Sequence, residues 1–258
     1  HCSVRRQRQM CIRDRSFSGM QYDWQLDKLL GDSITELGKP HINDIIDPRS
    51  IIAERENVSV DNVLITHGAT QGINIALLTA IAKIRDSVNG EIIVAVESPT
   101  YAPIPQTALI LADKVIRMDK YPPDSKLGNW RFDRQQWQEA IAQSHIVMIT
   151  PISNPSGWDL DVDDRDWIVD IAKQNDVIII ADEAYNDAYR HIDNYRSIHS
   201  YGENCLSINS LTKVYSMGPI RFGWIISDIE TISLARRIFM TFSGAVSYTH
   251  LRAHETGY

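Results

Sequence analysis

The chain has 258 residues and a formal net charge of −7 at pH 7, with 43% hydrophobic and 23% charged residues, as is typical of a globular protein. The negative charge argues against a nucleic acid or an anionic membrane surface as partner, and the chain contains no run of 18 apolar residues that would predict a transmembrane helix. The first 15 residues lack the apolar core of a signal peptide, and three cysteines make no disulfide framework, so we expect a cytoplasmic protein.

The two ends of the chain differ from its interior. Residues 1–15 have a net charge of +4 and residues 246–258 a net charge of zero, so residues 16–245 carry the remaining −11. A basic segment on an acidic body can be a targeting or nucleic-acid-binding arm. Both ends, however, back-translate to DNA that resembles the transposase adapters of short-read sequencing libraries. We therefore interpret both end segments as non-native adapter-derived tails, and expect residues 16–245 to be an internal fragment of a longer protein.

Seven short apolar segments predict strands, because they are rich in β-branched residues and bounded by polar, Gly or Pro residues. In chain order they are Val63–Thr66, Glu91–Val96, Val115–Met118, Ile146–Thr150, Val177–Ala181, Cys205–Ile208 and Phe222–Ile226. Amphipathic stretches predict helices at Ser50–Arg55, Gln71–Ile84, Arg134–Gln143, Asp166–Lys173 and Asp228–Phe242, the last with Asp228 as N-cap. This alternation predicts an α/β fold, with a mostly parallel seven-stranded sheet sandwiched by helices.

The first of four motifs, Thr66–Gly72, follows a predicted strand and opens a predicted helix. Gly68 permits a tight turn. The backbone amides of Gly68, Ala69 and Thr70 then lie at a helix N-terminus, which favours a phosphate group. The alternative is an ordinary turn into a helix, with Thr70 as the N-cap.

The second motif, Ser153–Gly157, follows the strand that ends at Thr150. Its Pro and Gly residues are typical of a plain turn. The alternative is a ligand site, because the side-chain N–H of Asn154 can be donated to a ligand oxygen.

The third motif, Ala181–Tyr185, follows the most apolar strand of the chain. Asp182 is then a desolvated carboxylate that needs a partner. The alternative is that Asp182 caps the helix that follows.

The fourth motif is Ser210–Trp224, in which Arg221 follows Lys213 by eight residues. A lone lysine is usually a solvated surface charge. A lysine beside a second cation, however, loses its proton more easily and becomes a nucleophile.

Together and in this order, the four motifs resemble those of the fold type I pyridoxal-phosphate enzymes, specifically the class I and II aminotransferase family. The resemblance covers Val63 to Trp224, and its most specific part is the segment Ser-x-x-Lys…Arg-x-Gly. It implies that residues 61–245 form the large domain that binds pyridoxal phosphate. Residues 16–60 are then the remnant of an N-terminal region, and the C-terminal small domain is missing.

The resemblance implies roles for three catalytic residues and two of their neighbours. Lys213 forms an imine with the cofactor aldehyde and later moves a proton between the substrate α-carbon and the cofactor. Asp182 pairs with the pyridinium nitrogen and so keeps the ring an electron sink. Asn154 and the catalytic Tyr185 hydrogen-bond the phenolic oxygen of the ring. Tyr101 stacks on the ring, unless it is simply a half-buried tyrosine at a strand end.

The resemblance also implies a phosphate site, in which an arginine fork suits phosphate better than a lysine does. Its members are the amides of Gly68, Ala69 and Thr70, the Ser210 hydroxyl and Arg221. The chain departs from the family pattern at three positions: Ser216 and Pro219 stand where Gly is usual, and Ser156 stands where Thr is common. These departures remove no group that the mechanism needs.

No metal site is expected, because the histidines show no metal-ligand spacing. The histidines considered are His67, His145, His191 and His199, four of the eight in the chain. The small-domain arginine that binds the substrate α-carboxylate in the family, and the family's N-terminal arm, are absent from this sequence. The cofactor is therefore implied, while the substrate amino acid is not.

The resemblance implies that the parent protein is an aminotransferase that moves an amino group from an amino acid to a 2-oxo acid, and that it is a homodimer. One alternative is a carbon–sulfur β-lyase of the same fold, which uses the same cofactor residues but releases ammonia and pyruvate. A regulator with such a domain is a second alternative, although residues 16–60 show no helix-turn-helix signal. A third is a catalytically inert cofactor-binding fragment.

Overall fold

The computed structural model describes residues 47–124, 129–190 and 196–242. The predicted tails, most of the 16–60 region and His191 lie outside the described residues.

An eight-stranded sheet runs through the described part of the chain, in the order β1-β8-β7-β6-β5-β2-β3-β4. Its strands are β1 Val63–Thr66, β2 Ile93–Ser98, β3 Lys114–Tyr121, β4 Arg131–Phe132, β5 Ile146–Ile149, β6 Ile178–Asp182, β7 Cys205–Ser210 and β8 Gly223–Ile226. The central strands are parallel, whereas β8 is antiparallel to β1 and β7, and β4 is antiparallel to β3. The predicted mostly parallel α/β fold is confirmed. The predicted strand count is one short, because the two residues of β4 are too few to form an apolar pattern.

Six α-helices accompany the sheet in the same described ranges. They are α1 Pro48–Glu56, α2 Ala69–Ile84, α3 Pro103–Leu111, α4 Arg134–Ala142, α5 Val162–Gln174 and α6 Ile229–Phe242. Each of the five predicted helices is present, with ends that differ by up to four residues. The sequence did not predict α3, because Pro103 and Pro105 suggest a loop, although Pro is well accepted in a first helical turn.

Alternate residues of each central strand face two separate helical layers, as the period of two in a strand requires. In β6, Ile178 and Ile180 pack in a core with residues of α2, α3 and α6. Ile179 and Ala181 pack in a second core with residues of α4 and α5. Because helices cover both faces of the sheet, the central strand β5 is apolar throughout, and β6 is apolar up to its last residue.

Aspartates begin several of the helices, whereas α2 begins differently. Asp47, Asp133 and Asp161 each accept a backbone N–H at the start of α1, α4 and α5. At α6, Asp228 Oδ1 accepts a 2.8 Å hydrogen bond from the Thr231 amide, which confirms the predicted N-cap. For α2 the N-cap is Gly68, and no described side chain caps it. The Gly68 amide donates to Thr66 O at 2.9 Å. The amides of the first two helical residues, Ala69 and Thr70, are therefore the ones available to a ligand.

Candidate active site

The register of the sheet brings the first and the fourth predicted motifs to one point. Gly223, the first residue of β8, pairs with Thr66 at the end of β1 on one side and with Ser210 at the end of β7 on the other. The turn after Thr66, the loop after Ser210 and the residues before Gly223 therefore emerge together. The parallel strands β5 and β6 also end at this edge of the sheet, where open α/β sheets bind their ligands.

A single cavity of about 560 Å³, including its open mouth, lies at this edge. Nine of the ten predicted cofactor-binding residues line it: Ala69, Thr70, Tyr101, Asn154, Asp182, Tyr185, Ser210, Lys213 and Arg221. The tenth, Gly68, lies behind the Arg221 guanidinium. Residues as far apart in the sequence as Ala69 and Arg221 thus line the same cavity.

One end of the cavity is suited to an anion. Two backbone carbonyls hold the Arg221 guanidinium: Nη1 donates to Gly218 O at 3.2 Å and Nη2 to His67 O at 3.5 Å. The N-terminus of α2, with Ala69 and Thr70, lies in the same wall. Backbone amides at a helix N-terminus, the positive end of the helix dipole and a guanidinium are groups that favour a bound anion.

Two glycines allow the groups at the anion end of the cavity to pack closely together. Gly68 has φ +83°, and a Cβ there would lie 2.4 Å from Arg221 Nη2. A Cβ on Gly223 would lie 2.7 Å from the carbonyl carbon of Gly68 and 2.9 Å from the amide nitrogen of Ala69. Gly223 is the glycine of the Arg-x-Gly segment, and the sequence alone assigns it no role. The structure supplies the reason, which is the close approach of β8 to the start of α2.

Asp182 is the last residue of β6, and its carboxyl lies in the wall of the cavity. Burial raises the pKa of Asp182 to about 6, and the negative charge of Glu97 adds to the increase. Two groups lower the pKa of Asp182. They are the Ala184 amide, which donates to Asp182 Oδ1 at 3.2 Å, and the Lys213 ammonium. The carboxyl is therefore mainly ionised at neutral pH, in a poorly hydrated position.

Lys213 lies in the loop between β7 and β8. Burial lowers the pKa of its ammonium, Asp182 raises it, and Arg221 lowers it. The effect expected from the second cation is present, but desolvation is the larger cause. Lys213 Nζ lies 6.0 Å from the centroid of the Tyr185 ring. A lysine with a lowered pKa carries more of the free amine that can act as a nucleophile.

The structure also bears on the alternative interpretations of Thr70, Asp182 and Tyr101. Thr70 is not an N-cap, because α2 begins at Ala69 and Gly68 occupies the cap position. Asp182 accepts one local N–H, from Ala184, but the next element is a 3₁₀ turn at Asn186–Tyr189 without a side-chain cap. Tyr101, between β2 and α3, is half-buried and lines the cavity, and its stacking on a cofactor ring stays a prediction.

Sequence reasoning missed several residues of the site. Thr150, Ile152, Ala184 and Thr212 also line the cavity. Behind the wall, Lys120 and Glu97 form a buried ion pair with 3.2 Å between Nζ and Oε1. The sequence contained a signal for the burial of Lys120, which follows Met118 at the two-residue period of a strand, but none for its pairing with Glu97.

The short helix α1 is tied to the loops around the site, which gives part of the 16–60 region a structural role. Arg55 Nη1 donates to Asp187 Oδ2 at 3.1 Å and to the Tyr215 hydroxyl at 3.3 Å. The guanidinium also lies 4.8 Å from the centroid of the Trp224 ring. Helix α1 therefore braces both the loop after β6 and the loop that carries Lys213.

The described residues include neither a candidate metal site nor a candidate membrane-spanning helix. They contain no cluster of His, Cys, Asp and Glu side chains that could hold a metal ion. Three of the histidines lie apart, and one of them, His145, accepts the Ile93 amide at its Nδ1. No helix in the described ranges is long and apolar enough to cross a membrane.

Comparison with known proteins gives consistent matches. The family model described as aminotransferase class I and II matches residues 49–253. An aspartate aminotransferase from Pyrococcus horikoshii is 25% identical over 193 residues, which cover 74% of this chain and 46% of that protein. The chain spans about half the length of the curated relatives it matches.

Solved structures share the fold at lower identity. An aromatic aminotransferase from Pyrococcus horikoshii OT3 gives a TM-score of 0.71 at 18% identity, covering 87% of this chain and 61% of that one. A pyridoxal-phosphate-dependent aminotransferase from Streptococcus suis 89-1591 gives a TM-score of 0.69 at 20% identity, covering 88% of this chain and 61% of that one.

Proposed function

Because the chain belongs to the class I and II aminotransferase family, we propose that its parent protein binds pyridoxal 5'-phosphate in this cavity and transfers an amino group from an amino acid to a 2-oxo acid. The observation that carries the proposal is the composition of one cavity. It combines a lysine of lowered pKa, a buried carboxylate, and an arginine beside an uncapped helix N-terminus. We also propose that the parent is a cytoplasmic homodimer that acts on small molecules, without a nucleic acid or membrane partner.

The residues present fit the cofactor. The amides of Ala69 and Thr70, the Ser210 hydroxyl and the Arg221 guanidinium would hold its phosphate. The Gly68 amide, which was also predicted for this role, donates to Thr66 O instead. The absence of a Cβ at Gly68 leaves room for Arg221 beside these amides, which supports an anion site at this end. The same cavity offers Asp182 for a ring nitrogen, Asn154 and Tyr185 for a phenolic oxygen, and Tyr101 for the ring face.

Pyridoxal phosphate, when bound, supplies an electron-withdrawing ring that stabilises negative charge at the substrate α-carbon. Asp182 would hold a proton on the ring nitrogen, because its carboxyl is ionised above about pH 6 and poorly hydrated. Lys213 Nζ would bond to the cofactor and, once released, move a proton to and from the substrate α-carbon. Burial favours the neutral amine that both roles of Lys213 require.

Borohydride reduction followed by peptide mapping tests the proposal. In the presence of pyridoxal phosphate we expect one reduced label, on Lys213. The variant Lys213→Ala should take no label, whereas Lys114→Ala, which changes an exposed lysine, should label as the wild type does. A label on another residue would contradict the assignment.

Product analysis on the full-length parent separates the activity from that of a β-lyase of the same fold. We expect a new amino acid from the 2-oxo acid acceptor, with no net release of ammonia. Release of ammonia and pyruvate without an acceptor would identify a lyase.

A further inference from the structure

A buried lysine lies behind the cavity wall that contains Asn154. Lys120, near the end of β3, is 4% exposed, and Glu97 of β2 is 1% exposed. Lys120 Nζ lies 3.2 Å from Glu97 Oε1 and donates a 2.6 Å hydrogen bond to Ser153 Oγ. Such a buried ion pair adds little net stability, because desolvation offsets the attraction. What the pair holds in place is therefore more informative than its contribution to stability.

Lys120 contacts both ends of the loop that carries Asn154. The Ser153 amide donates to Trp158 O at 2.8 Å, and the Gly157 amide donates to Ser153 O at 2.7 Å. The Ser153 hydroxyl accepts from Lys120, whose Nζ also lies 5.7 Å from the centroid of the Trp158 ring. Ser153 is thus fixed through both its backbone and its side chain. The next residue is Asn154, whose side chain lines the cavity.

The Glu97 end of the pair also reaches the site. Thr150 Oγ1 donates to Glu97 Oε1, and Thr150 lines the cavity. Burial is the main cause of the raised pKa of Asp182, and the negative charge of Glu97 is a further cause. The ammonium of Lys120 balances that charge, so the loop is held without leaving an unpaired carboxylate beside Asp182.

We propose that Lys120 is a positioning residue: anchored by Glu97, it holds the Ser153 hydroxyl and thereby sets where the Asn154 amide lies in the cavity. Lys120 is not among the described residues that line the cavity, so it acts through Ser153 and not on the ligand. The inference rests on the proposed function only for the identity of the ligand that Asn154 contacts.

Two variants and two matched controls test the inference. Ser153→Ala removes the hydroxyl and leaves the ion pair, while Lys120→Met removes the ammonium. Ser144→Ala is the control for the first, because Ser144 is a buried, hydrogen-bonded serine at the other end of β5. Lys114→Met is the control for the second, because Lys114 is an exposed lysine at the start of β3.

The first readout is hydrogen exchange in the protein without cofactor. We expect the backbone amides of residues 151–160 to exchange about tenfold faster in Ser153→Ala, because local opening costs less. The two controls should leave this segment unchanged. Unchanged exchange in Ser153→Ala would overturn the proposal, and this variant decides the matter even if Lys120→Met does not fold.

The second readout is the affinity for pyridoxal 5'-phosphate. Loss of one net hydrogen bond predicts binding about fivefold weaker in Ser153→Ala. Because Ser153 acts through Asn154, adding Ser153→Ala to Asn154→Ala should weaken binding no further, and full additivity would overturn the proposal. If the wild-type protein binds no pyridoxal phosphate, the proposed function fails, while the exchange measurement still decides whether the loop is held by Lys120.

Discussion

The guanidinium of Arg221 lies directly against Gly68, so that a Cβ on Gly68 would lie 2.4 Å from Nη2 and 2.9 Å from Cζ. The arginine lies in the loop between β7 and β8, two residues before β8 begins, and the glycine is the N-cap of α2 after β1. The antiparallel strand β8 joins them, since Gly223 pairs with Thr66. The anion end of the cavity therefore depends on the absence of one methyl group.

Gly68→Ala should weaken the binding of pyridoxal phosphate about tenfold and lower the free energy of unfolding by about 1–3 kcal/mol, because the new Cβ displaces Arg221 and strains a positive φ. Titration with the cofactor and urea unfolding measure the two effects. Gly90→Ala is the control, because Gly90 also has a positive φ but has no atom within 4 Å of its Cβ position. Equal affinities for wild type and Gly68→Ala would show that Arg221 does not contact the phosphate.

Arg221→Lys should weaken the binding of pyridoxal phosphate by about tenfold and leave the binding of pyridoxal nearly unchanged. A lysine cannot keep two contacts to backbone carbonyls and still present a planar fork to the phosphate. Parallel titrations with the two compounds measure the difference. Arg117→Lys, at an exposed arginine of β3, should affect neither titration. An equal loss for both compounds would mean that Arg221 acts on the ring or on the fold.

Asp182→Asn should lower kcat of the full-length parent by about a thousandfold, while the affinity for the cofactor changes much less. The amide has the shape of the carboxylate but no charge to hold a proton on the ring nitrogen. Steady-state kinetics and cofactor titration separate the two quantities. Asp170→Asn, at an exposed position of α5, is the control. A kcat near that of the wild type would remove Asp182 from the proposed mechanism.

Glu183→Gln should make stability less dependent on pH. Burial raises the pKa of Glu183 to about 7, with Glu56 adding to the increase, while the Ile198 amide, the Ser197 hydroxyl and Arg165 lower it. The folded state thus binds a proton that the unfolded state has lost, and stability falls as the pH rises from about 4.5 to 7.

The glutamine variant removes that loss. We therefore expect Glu183→Gln to be close to the wild type near pH 4 and more stable than the wild type at pH 8, by up to about 3 kcal/mol. Urea unfolding at several pH values measures the difference. Glu203→Gln, at an exposed position, should follow the wild type throughout. Parallel curves for Glu183→Gln and the wild type would contradict the assigned burial of the charge.

The candidate residues could be predicted because each lies beside a strand that is recognisable on its own. Asp182 ends the apolar strand β6, and Ser210 ends β7. The carboxyl ends of parallel strands meet at one edge, so motifs that follow such strands meet there as well. The roles of these residues toward a cofactor remain predictions.

Other features could not be predicted, because they depend on partners distant in the sequence. Glu97 and Lys120 are 23 residues apart, and each taken alone is a charged residue in a strand. Only the neighbouring positions of β2 and β3, together with the loop after β5, make them a buried pair. The strand β4 is similar, since its two residues gain strand geometry only from pairing with Lys120 and Tyr121.

The sequence by itself determined the alternation of strands and helices, the mostly parallel sheet, and the motifs that hold the candidate site, since apolar periodicity and turn chemistry are local properties. The tertiary structure alone decided which ionisable groups are removed from water and which groups lie beside them. It made burial the main cause of the shifted pKa of both Asp182 and Lys213, and it brought Arg221 against Gly68 through the register of β8. Burial and register arise from the contacts of the whole fold, and no single segment of sequence contains them.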